Sequence, residues 1–293
     1  MKLERLSPDP VLTPREDVPW EKDAVLNPAA VHHRGRVHLL YRAVAHRPGD
    51  RNRSSIGYAW SDDGLHFHRL DQPVLRPGQV PGEAKGVEDP RVTRIGETFH
   101  MLYTAYDGTK TEVARATSAD LRSWRRQGVA IGHELFGDNK DAALFPRTFA
   151  GRYAALHRPP PNIVLSYSRD LAEWTDHAVV MGPEQEWERA KIGAGAQPIR
   201  TDAGWVCVYH GVAEGHVYRL GIALLDLEEP SKVLRRQAEP ILEPETEWER
   251  RGEVPNVVFA CGAVLLGREL WVYYGGADSV IGVARGDIRE FLD

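Results

Sequence analysis

The stretch "RVHLLYRA" at residues 36–43, followed by "SIGYAWSDDG" at residues 55–64, is typical of two short β-strands joined by a turn. Aromatic and aliphatic side chains fill both segments, and each has the length of a strand rather than of a helix. The same kind of pair recurs at 98–105 with 111–121, 151–158 with 162–171, 204–211 with 219–230, and 269–276 with 280–288. The sequence therefore contains an internal repeat of about 50–60 residues.

Five copies of this strand–turn–strand unit favour an all-β fold, and their number and length favour a five-bladed β-propeller. No linker or low-complexity segment interrupts the repeats, so residues 1–293 are expected to form a single domain. A two-sheet β-sandwich is the main competing architecture, although five matched repeats disfavour it. Three of the second strands lead into an aspartate turn followed by an aromatic residue that packs back on the sheet. These pairs are Asp62 with Phe67, Asp120 with Trp124, and Asp170 with Trp174.

Charge and composition exclude several classes of function. A net charge of −5 and a pI of about 6.2 argue against a nucleic-acid-binding surface, although a local basic pocket is compatible with them. No stretch approaches the roughly 18 apolar residues of a membrane span, and no apolar signal segment is visible, so we expect a cytoplasmic protein without membrane contact. Cys207 and Cys261 lie in apolar runs and are expected to be buried free thiols. Spacings typical of zinc, calcium or phosphate-loop sites are missing, so neither a metal nor an organic cofactor is expected.

Polar residues stand at equivalent places in the repeats, where the strands of a propeller would converge on one mouth of the central channel. Arg42 ends the first copy, Arg158 the third and His210 the fourth. Asp89 stands just before the second copy and Asp278 just after the fifth. Each has an ordinary explanation on its own, as a turn, a strand end or a half-buried residue. The equivalent placement is what favours a shared site.

Two further stretches add charge within an apolar context. "NKDAALFPRTF" at 139–149 holds Lys140, Asp141 and Arg147, and "RAKIGAGAQPI" at 189–199 holds Lys191 beside glycines that would let the backbone approach a ligand. Carboxylates in a sugar-sized cleft indicate cleavage of a glycosidic bond, for which Asp89 is the strongest acid candidate. Because the other expected side chains are mainly cationic, they suit an anionic nucleophile such as phosphate, which needs positive charge rather than a carboxylate base. This set of residues indicates phosphorolysis.

The sequence resembles glycoside hydrolase family 130, the β-mannoside phosphorylases. The resemblance covers residues 25 to 284 in order, and its motifs are long and specific. The matching pieces are "VLNPAAV", "LLYRA", "IGYAWSDDG", "GVEDPRV", "YTAYDG", "KDAALFPR", "KIGAGAQPI", "VYHGV", "LGIALLDL", "VPNVVFACG" and "VYYGGAD". One departure is Gln197 in "KIGAGAQPI", where a proline or a small residue would be expected.

The resemblance implies a five-bladed propeller and an inverting phosphorolysis of β-mannosides that gives α-mannose 1-phosphate, with inorganic phosphate as co-substrate. It implies that Asp89 of "GVEDPR" is the catalytic acid and acts through the mannosyl 3-hydroxyl. The implied phosphate-binding residues are Arg147, Arg158, Lys191 and His210. The implied sugar contacts are Asn27, Arg42 and Asp278, to which we add Asp141 as a substrate-binding candidate. Relatives commonly form homo-oligomers, so a homo-oligomer is expected.

Two alternatives stay open at this point. An inverting β-mannosidase on the same fold would use water, with Glu88, Asp141 or Glu253 as the base. A non-catalytic, glycan-binding propeller would bind without turnover. The linkage (β-1,4 or β-1,2) and the acceptor sugar depend on loops that the motifs do not describe. Pro90 is expected to fix the backbone beside Asp89, and Arg91 to pair with Glu88 or another carboxylate.

Overall fold

A computed structural model describes residues 1–47 and 50–293, and nearly all regular structure in these residues is β-strand. This confirms the expected all-β class. The strands fall into five antiparallel units, numbered here in chain order. The N-terminal strand is β1 (Glu4–Arg5). Unit 1 contains β2 (Ala24–His33), β3 (Arg36–Arg47), β4 (Asp50–Ser61) and β5 (His68–Arg69). Unit 2 contains β6 (Gly86–Ile95), β7 (Thr98–Tyr106), β8 (Thr111–Ser118) and β9 (Arg125–Ile131).

The remaining units repeat this arrangement. Unit 3 contains β10 (Lys140–Leu144), β11 (Tyr153–Arg158), β12 (Ile163–Ser168) and β13 (Trp174–Met181). Unit 4 contains β14 (Lys191–Ala194), β15 (Ile199–Arg200), β16 (Trp205–Val212), β17 (Tyr218–Leu225) and β18 (Val233–Arg236). Unit 5 contains β19 (Val258–Leu266), β20 (Glu269–Gly276) and β21 (Val280–Asp287), and β1 completes it by pairing with β21. The five strand pairs predicted from the sequence are present as β3–β4, β7–β8, β11–β12, β16–β17 and β20–β21. They are the second and third strands of the units when β14 and β15, which both pair with β16, are counted together as the first strand of unit 4.

The helices in the described residues are short. They are α1 (His133–Phe136), α2 (Glu247–Arg250) and α3 (Arg289–Leu292), with 3-10 turns at Pro81–Glu83 and Glu186–Glu188. Among these helices, none has the length and apolar character that crossing a membrane requires.

Each unit is bonded to its neighbour in sequence, and unit 5 is also bonded to unit 1. Units 1 and 2 share a single parallel pair, Ser54 with Gly86. Backbone N–H groups cross the boundaries from Ser54 to Lys85, from Ile192 to Pro161, from Tyr218 to Asn256 and from Val25 to Ser279, and the Thr93 hydroxyl donates to the carbonyl of Leu144. Because the bonds between units are few, packing of side chains must supply most of the cohesion between them.

Apolar side chains fill the spaces between neighbouring units. The core between units 3 and 4, for example, contains Phe145, Leu156 and Trp205, and the Phe145 and Trp205 rings meet edge to face at 5.3 Å. Every residue of β16, with the sequence "WVCVYHGV", is buried. Strands covered on both faces have continuous apolar runs instead of an alternating pattern, which explains the run-like character of the repeat.

A buried glutamate links the second strand of four units to the fourth strand. In unit 5 the Tyr274 hydroxyl donates to Glu249 at 2.8 Å, and Arg5 of β1 binds the same carboxylate at 2.7 Å. The same bonding occurs in Tyr41, Glu21 and Arg69 of unit 1 and in Tyr103, Glu83 and Arg126 of unit 2. In unit 4 Arg236 donates to both the Tyr209 hydroxyl and the Glu188 carboxylate. Each arginine lies on the fourth strand of its unit, so the ion pair fixes the outer strand to the unit. In unit 5 this outer strand is the N-terminal β1.

The aspartate turns form as expected, with one correction. Asp120 and Asp170 each accept two backbone N–H bonds from the residues that follow. In the first repeat the residue that does this is Asp63, not the predicted Asp62, which pairs instead with Arg36 at 2.7 Å. In each of the three turns a serine stands two positions before the aspartate that accepts these bonds. The two adjacent aspartates of "SDDG" left open in the sequence which of them is the turn residue.

We expect Arg5→Ala to lower the free energy of unfolding by about 3–5 kcal/mol, because it leaves the fully buried Glu249 carboxylate without its cation. The matched control is Arg251→Ala, which removes an ion pair with Glu247 whose side chains are 80% and 69% exposed and should change stability by about 1 kcal/mol or less. Chemical denaturation of both variants provides the measurement. Equal losses for the two would mean that β1 is not held through Glu249.

Candidate functional site

Polar side chains from all five units line a cavity of about 200 Å³. The first strands of three units carry a β-bulge where they reach it. Asn27, Asp89 and Asp141 occupy the three bulges, with φ of 49°, 49° and 56°. Asn and Asp tolerate this left-handed region better than other side chains with a Cβ, although holding it costs of order 1–3 kcal/mol per residue. The same strained backbone conformation thus turns three short polar side chains toward the cavity.

Asp89 lies on the carboxylate side of the cavity and is buried. Its Oδ1 accepts a hydrogen bond from Asn27 at 2.9 Å and a longer one from Arg42 Nη1 at 3.4 Å. Arg42 binds Glu88 more closely, with Nη2 at 3.0 Å from Oε1, and its Nε donates to the Ser54 hydroxyl at 2.9 Å. One arginine therefore serves two adjacent carboxylates, and Glu88 receives the shorter contact.

Asp278 is the third carboxyl group near Arg42. Burial raises the pKa of Asp278 to about 6; Arg42 opposes this, while Asp89, Glu253 and Glu88 contribute to it. Burial also raises the pKa of Glu88, although Arg42 counteracts it. A single guanidinium does not neutralise the three carboxyl groups, so this side of the cavity is able to hold a proton near neutral pH.

A second group of lining residues, called here the cationic side, consists of Lys140, Arg158 and Lys191. Lys140 opens β10 and Arg158 ends β11, and the two are register partners; Lys191 opens β14. Burial lowers the pKa of Lys191, and the charge of Arg158 lowers it further. Asp141 is the anion fixed among them, with Arg158 Nε at 2.8 Å from Oδ2. Burial of Asp141 opposes its ionisation, but Arg158 and Arg91 hold the pKa of its carboxyl well below the usual range.

His210 lies beside Asp141, with Nε2 at 3.7 Å from Oδ2, and it is fully buried. Burial lowers the pKa of His210 to about 3, so the ring is neutral at physiological pH and can donate or accept a hydrogen bond. A Cβ on Gly193 would lie 2.4 Å from the His210 ring and 2.7 Å from Asp141. The glycine of "KIGAG" therefore makes room for these two side chains.

An apolar wall completes the cavity. Phe259 packs on His210 with ring centroids 4.4 Å apart, and Tyr218 lies 6.1 Å from Phe259. Val254 and Val257 extend this wall. A cavity with polar groups on two sides and aromatic rings on a third suits a sugar, whose C–H face packs on rings while its hydroxyl groups find hydrogen-bonding partners.

The structure brings eight of the nine predicted site residues to this cavity: Asn27, Arg42, Asp89, Asp141, Arg158, Lys191, His210 and Asp278. Arg147 does not lie with them. Its guanidinium binds Glu228 through two contacts of 3.1 and 3.0 Å and lies 5.0 Å from the Phe149 ring. Lys140 reaches the cavity from the start of β10, whereas Arg147 lies beyond its other end, and an extended chain advances about 3.3 Å per residue. The prediction that Arg147 joins the cationic group was wrong for this reason.

Sequence reasoning did not assign Lys140, Tyr218 and Phe259 to the site. Lys140 carried a signal, because it directly precedes Asp141 in a strand that pairs with the strand of Arg158. Tyr218 and Phe259 carried none, since an aromatic residue in a strand is more often part of the core. Gln197 does not line the cavity, and its amide donates to the carbonyl of Ala263 at 3.0 Å. In the described part of the chain, no group of three or more His, Cys, Asp or Glu side chains is arranged to hold a metal ion.

Comparison with known proteins gives consistent results. Residues 5–293 match the family model described as β-1,4-mannooligosaccharide phosphorylase. A 1,2-β-oligomannan phosphorylase of Thermoanaerobacter sp. (strain X514) is 45% identical, and the match covers 99% of each chain. A β-1,2-mannobiose phosphorylase of the same organism is 46% identical over 97% of this chain and 96% of the relative. The solved structure of β-1,2-mannobiose phosphorylase from Listeria innocua in complex with β-1,2-mannobiose has a TM-score of 0.90 and 30% identity, covering 100% of this chain and 98% of that one.

The raised pKa of Asp278, about 6, predicts a pH-dependent cost in stability. A carboxyl whose pKa is higher in the folded state favours folding below its unfolded pKa of about 3.9, and this contribution is lost as pH rises through 6. Asp278→Asn should therefore raise the free energy of unfolding by about 1–3 kcal/mol at pH 8. Denaturant titrations at pH 4 and pH 8 provide the test. A gain of the same size at both pH values would contradict an origin in ionisation.

Proposed function

Because the chain belongs to glycoside hydrolase family 130, we propose that it cleaves β-mannosides with inorganic phosphate and releases α-mannose 1-phosphate. One observation carries this proposal. Asp89 lines the same cavity of about 200 Å³ as Lys140, Arg158 and Lys191. An acid for the leaving group and a receptor for an anionic nucleophile therefore meet in one small pocket. The chain is accordingly a glycoside phosphorylase.

Asp89 acts as the general acid in this proposal. The glycosidic oxygen gains a proton as its bond to the anomeric carbon breaks, and the mannosyl 3-hydroxyl passes that proton on from the Asp89 carboxyl. Asn27 and Arg42 hold the Asp89 carboxyl group in place. Arg42 lies 3.4 Å from Asp89 and 3.0 Å from Glu88, so it is a weaker counter-ion for Asp89 than for Glu88. Asp278 and Asn27 bind hydroxyl groups of the same mannosyl unit.

Phosphate occupies the cationic side. A dianion that enters a partly dry pocket loses strong hydration, so several charged donors must replace the water. Arg158, Lys191 and His210 are the phosphate-binding residues predicted from the sequence that line this side, and Lys140 takes the position that was expected for Arg147. Phosphate attacks the anomeric carbon from the face opposite the leaving oxygen, which inverts its configuration.

Each carboxylate considered as the base of the hydrolytic alternative is bonded to other side chains or does not line the cavity. Glu88 is bonded to Arg42 and Ser54, and Asp141 is bonded to Arg158 and Arg91. Glu253 has an exposed side chain, and its carboxylate lies 3.7 Å from His46. Although burial opposes ionisation of Asp141, Arg158 and Arg91 hold its pKa well below the usual range, so it is a weak base. Glu88 and Glu253 do not line the cavity. These contacts support phosphate, not water, as the nucleophile.

We propose a β-1,2 linkage for the mannoside, with a second mannosyl unit as the leaving group. The support is the similarity over nearly the full chain to two relatives named for β-1,2-linked mannose. The matched family model carries a β-1,4 description, so a β-1,4-linked manno-oligosaccharide is the competing substrate.

The five-bladed propeller, formed by one domain over residues 1–293, is our proposal for the architecture. Five units of similar topology, their successive contacts, the Val25–Ser279 bond between units 5 and 1, and the pairing of β1 with β21 support it. A homo-oligomer and a cytoplasmic location stay predictions from the sequence. Light scattering on the purified protein measures the first of these.

The decisive experiment is a phosphate titration with β-1,2-mannobiose and β-1,4-mannobiose as substrates, with α-mannose 1-phosphate and free mannose quantified separately. We expect α-mannose 1-phosphate to form only with phosphate and faster from the β-1,2-linked disaccharide. Equal release of free mannose without phosphate would replace this proposal with the mannosidase.

The same phosphate titration distinguishes Lys191 from Arg147, both of which the sequence predicted to bind phosphate. Lys191→Ala should raise the KM for phosphate about 10–150-fold, the factor for one charged hydrogen bond, and change the KM for the mannoside much less. Arg147→Ala is the matched control and should leave both values unchanged, because Arg147 binds Glu228 outside the cavity. A phosphate KM that rises only in the Arg147 variant would mean that the cationic side is assigned wrongly.

Asp89→Asn should lower turnover by about 10²–10⁴-fold, the usual range for loss of a general acid, while the melting temperature stays close to that of the wild type. The amide keeps the shape of the carboxyl group and the contact with Asn27, so the loss reports proton transfer and not folding. Near-normal phosphorolysis by a folded variant would rule out Asp89 as the acid.

A further inference from the structure

Unit 3 departs from the pattern of the other units at the position next to Arg158. Where the second strands of units 1, 2, 4 and 5 have a buried tyrosine, β11 has His157, which is fully buried. Where those units have a buried glutamate and an arginine of the fourth strand, unit 3 has Asn139 and His177. Unit 3 is also the unit that supplies Lys140 and Arg158 to the cationic side of the cavity.

A continuous chain of hydrogen bonds replaces the ion pair. His157 Nδ1 lies 3.1 Å from Asn139 Oδ1, and His157 Nε2 lies 2.7 Å from the Ser166 hydroxyl, which lies 2.7 Å from His177 Nδ1. Because an amide oxygen only accepts, His157 carries its proton on Nδ1 and accepts from Ser166 at Nε2. Burial, with a smaller effect of His177, lowers the pKa of His157 to about 3, so this ring is neutral.

The His157–Asn139 bond is one residue away from both cations. Asn139 precedes Lys140, His157 precedes Arg158, and Lys140 and Arg158 are register partners across β10 and β11. In the other units the buried glutamate stands three or more residues before the first strand; Glu83, for example, precedes Gly86 at the start of β6. Lys140 and Arg158 carry like charges that repel each other in a buried site, and the His157–Asn139 bond joins the two strands directly beside them.

We propose that His157 and Asn139 are positioning residues that form a neutral clamp beneath the anion pocket, an inference that rests on the proposed function. The clamp holds Lys140 and Arg158 together against their mutual repulsion. The clamp is neutral, whereas a carboxylate at position 139 would add a third negative charge to those of Asp138 and Asp141, which already act on these cations, and would compete with phosphate. Unit 3 thus has a neutral histidine–asparagine pair where the other units have a buried tyrosine, glutamate and arginine.

The test uses the near-isosteric change Asn139→Asp, the truncation Asn139→Ala, and the control Glu83→Gln, which alters the buried partner of the second-strand tyrosine in unit 2. Calorimetry on the intact protein measures the Kd for inorganic phosphate, and kinetics measure KM for phosphate and for the mannoside. Asn139→Ala should raise the phosphate Kd about 3–10-fold, the factor for one lost hydrogen bond. Asn139→Asp should raise it about 10–100-fold through the added charge. Glu83→Gln should lower the melting temperature and leave the phosphate Kd unchanged.

A merely structural role would lower stability without separating the two KM values, so the clamp requires a higher KM for phosphate with a mannoside KM within about twofold of the wild type. The clamp is overturned if Asn139→Asp binds phosphate as tightly as the wild type, or if Glu83→Gln weakens phosphate binding as much as Asn139→Asp does. Turnover without phosphate by the wild type would overturn the proposed function, while the phosphate Kd of the variants would still decide the clamp. A wild type that does not bind phosphate would overturn both.

Discussion

The buried guanidinium of Arg91 is the contact on which the geometry of the site depends. Arg91 is 1% exposed and binds the carboxylate of Asp141 and the carbonyl of Asp89, each at 3.0 Å. It also donates to the carbonyls of Ala194 and Gly195 at 3.0 Å. One side chain of unit 2 thereby connects its own bulge to the bulge of unit 3 and to the backbone of unit 4. The expectation that Arg91 pairs with a carboxylate is confirmed, and that carboxylate is Asp141.

A buried charge of this kind is costly unless every donor has an acceptor, and loss of one partner typically costs about 3–5 kcal/mol. The acceptors of Arg91 belong to the strands and bulges that form the cavity. Asp141 is bound by Arg91 on one side and by Arg158 on the other, so the acid side and the cationic side share one chain of charges. Movement of any member would alter the position of Asp89 relative to the cations, and this coupling favours a single rigid arrangement of the pocket.

The arrangement of the site lowers the stability of the folded state. Three bulged residues hold φ near 50°, and the carboxyl groups of Glu88 and Asp278 have raised pKa values next to Asp89. Buried Tyr, Glu and Arg sets in four units fix the outer strands and offset part of this cost. Backbone strain and carboxyl groups with raised pKa values are thus concentrated at the cavity, whereas the Tyr, Glu and Arg sets do not line it.

The sequence by itself determined the β class and the five strand pairs, because strand periodicity and turn residues are local properties repeated along the chain. Of the nine candidate site residues taken from polar positions and from the resemblance to the family, eight line one cavity. The sequence did not determine the position of Arg147. Lys140 and Arg147 are seven positions apart in one stretch, and only the direction of β10 decides which of them reaches the cavity. Tyr218 and Phe259 join the site through contacts between units, for which no short pattern exists. The partner of Arg91 and the clamp of His157 with Asn139 were likewise decided by tertiary structure, since each depends on which distant strands pack together and which buried charges find acceptors there.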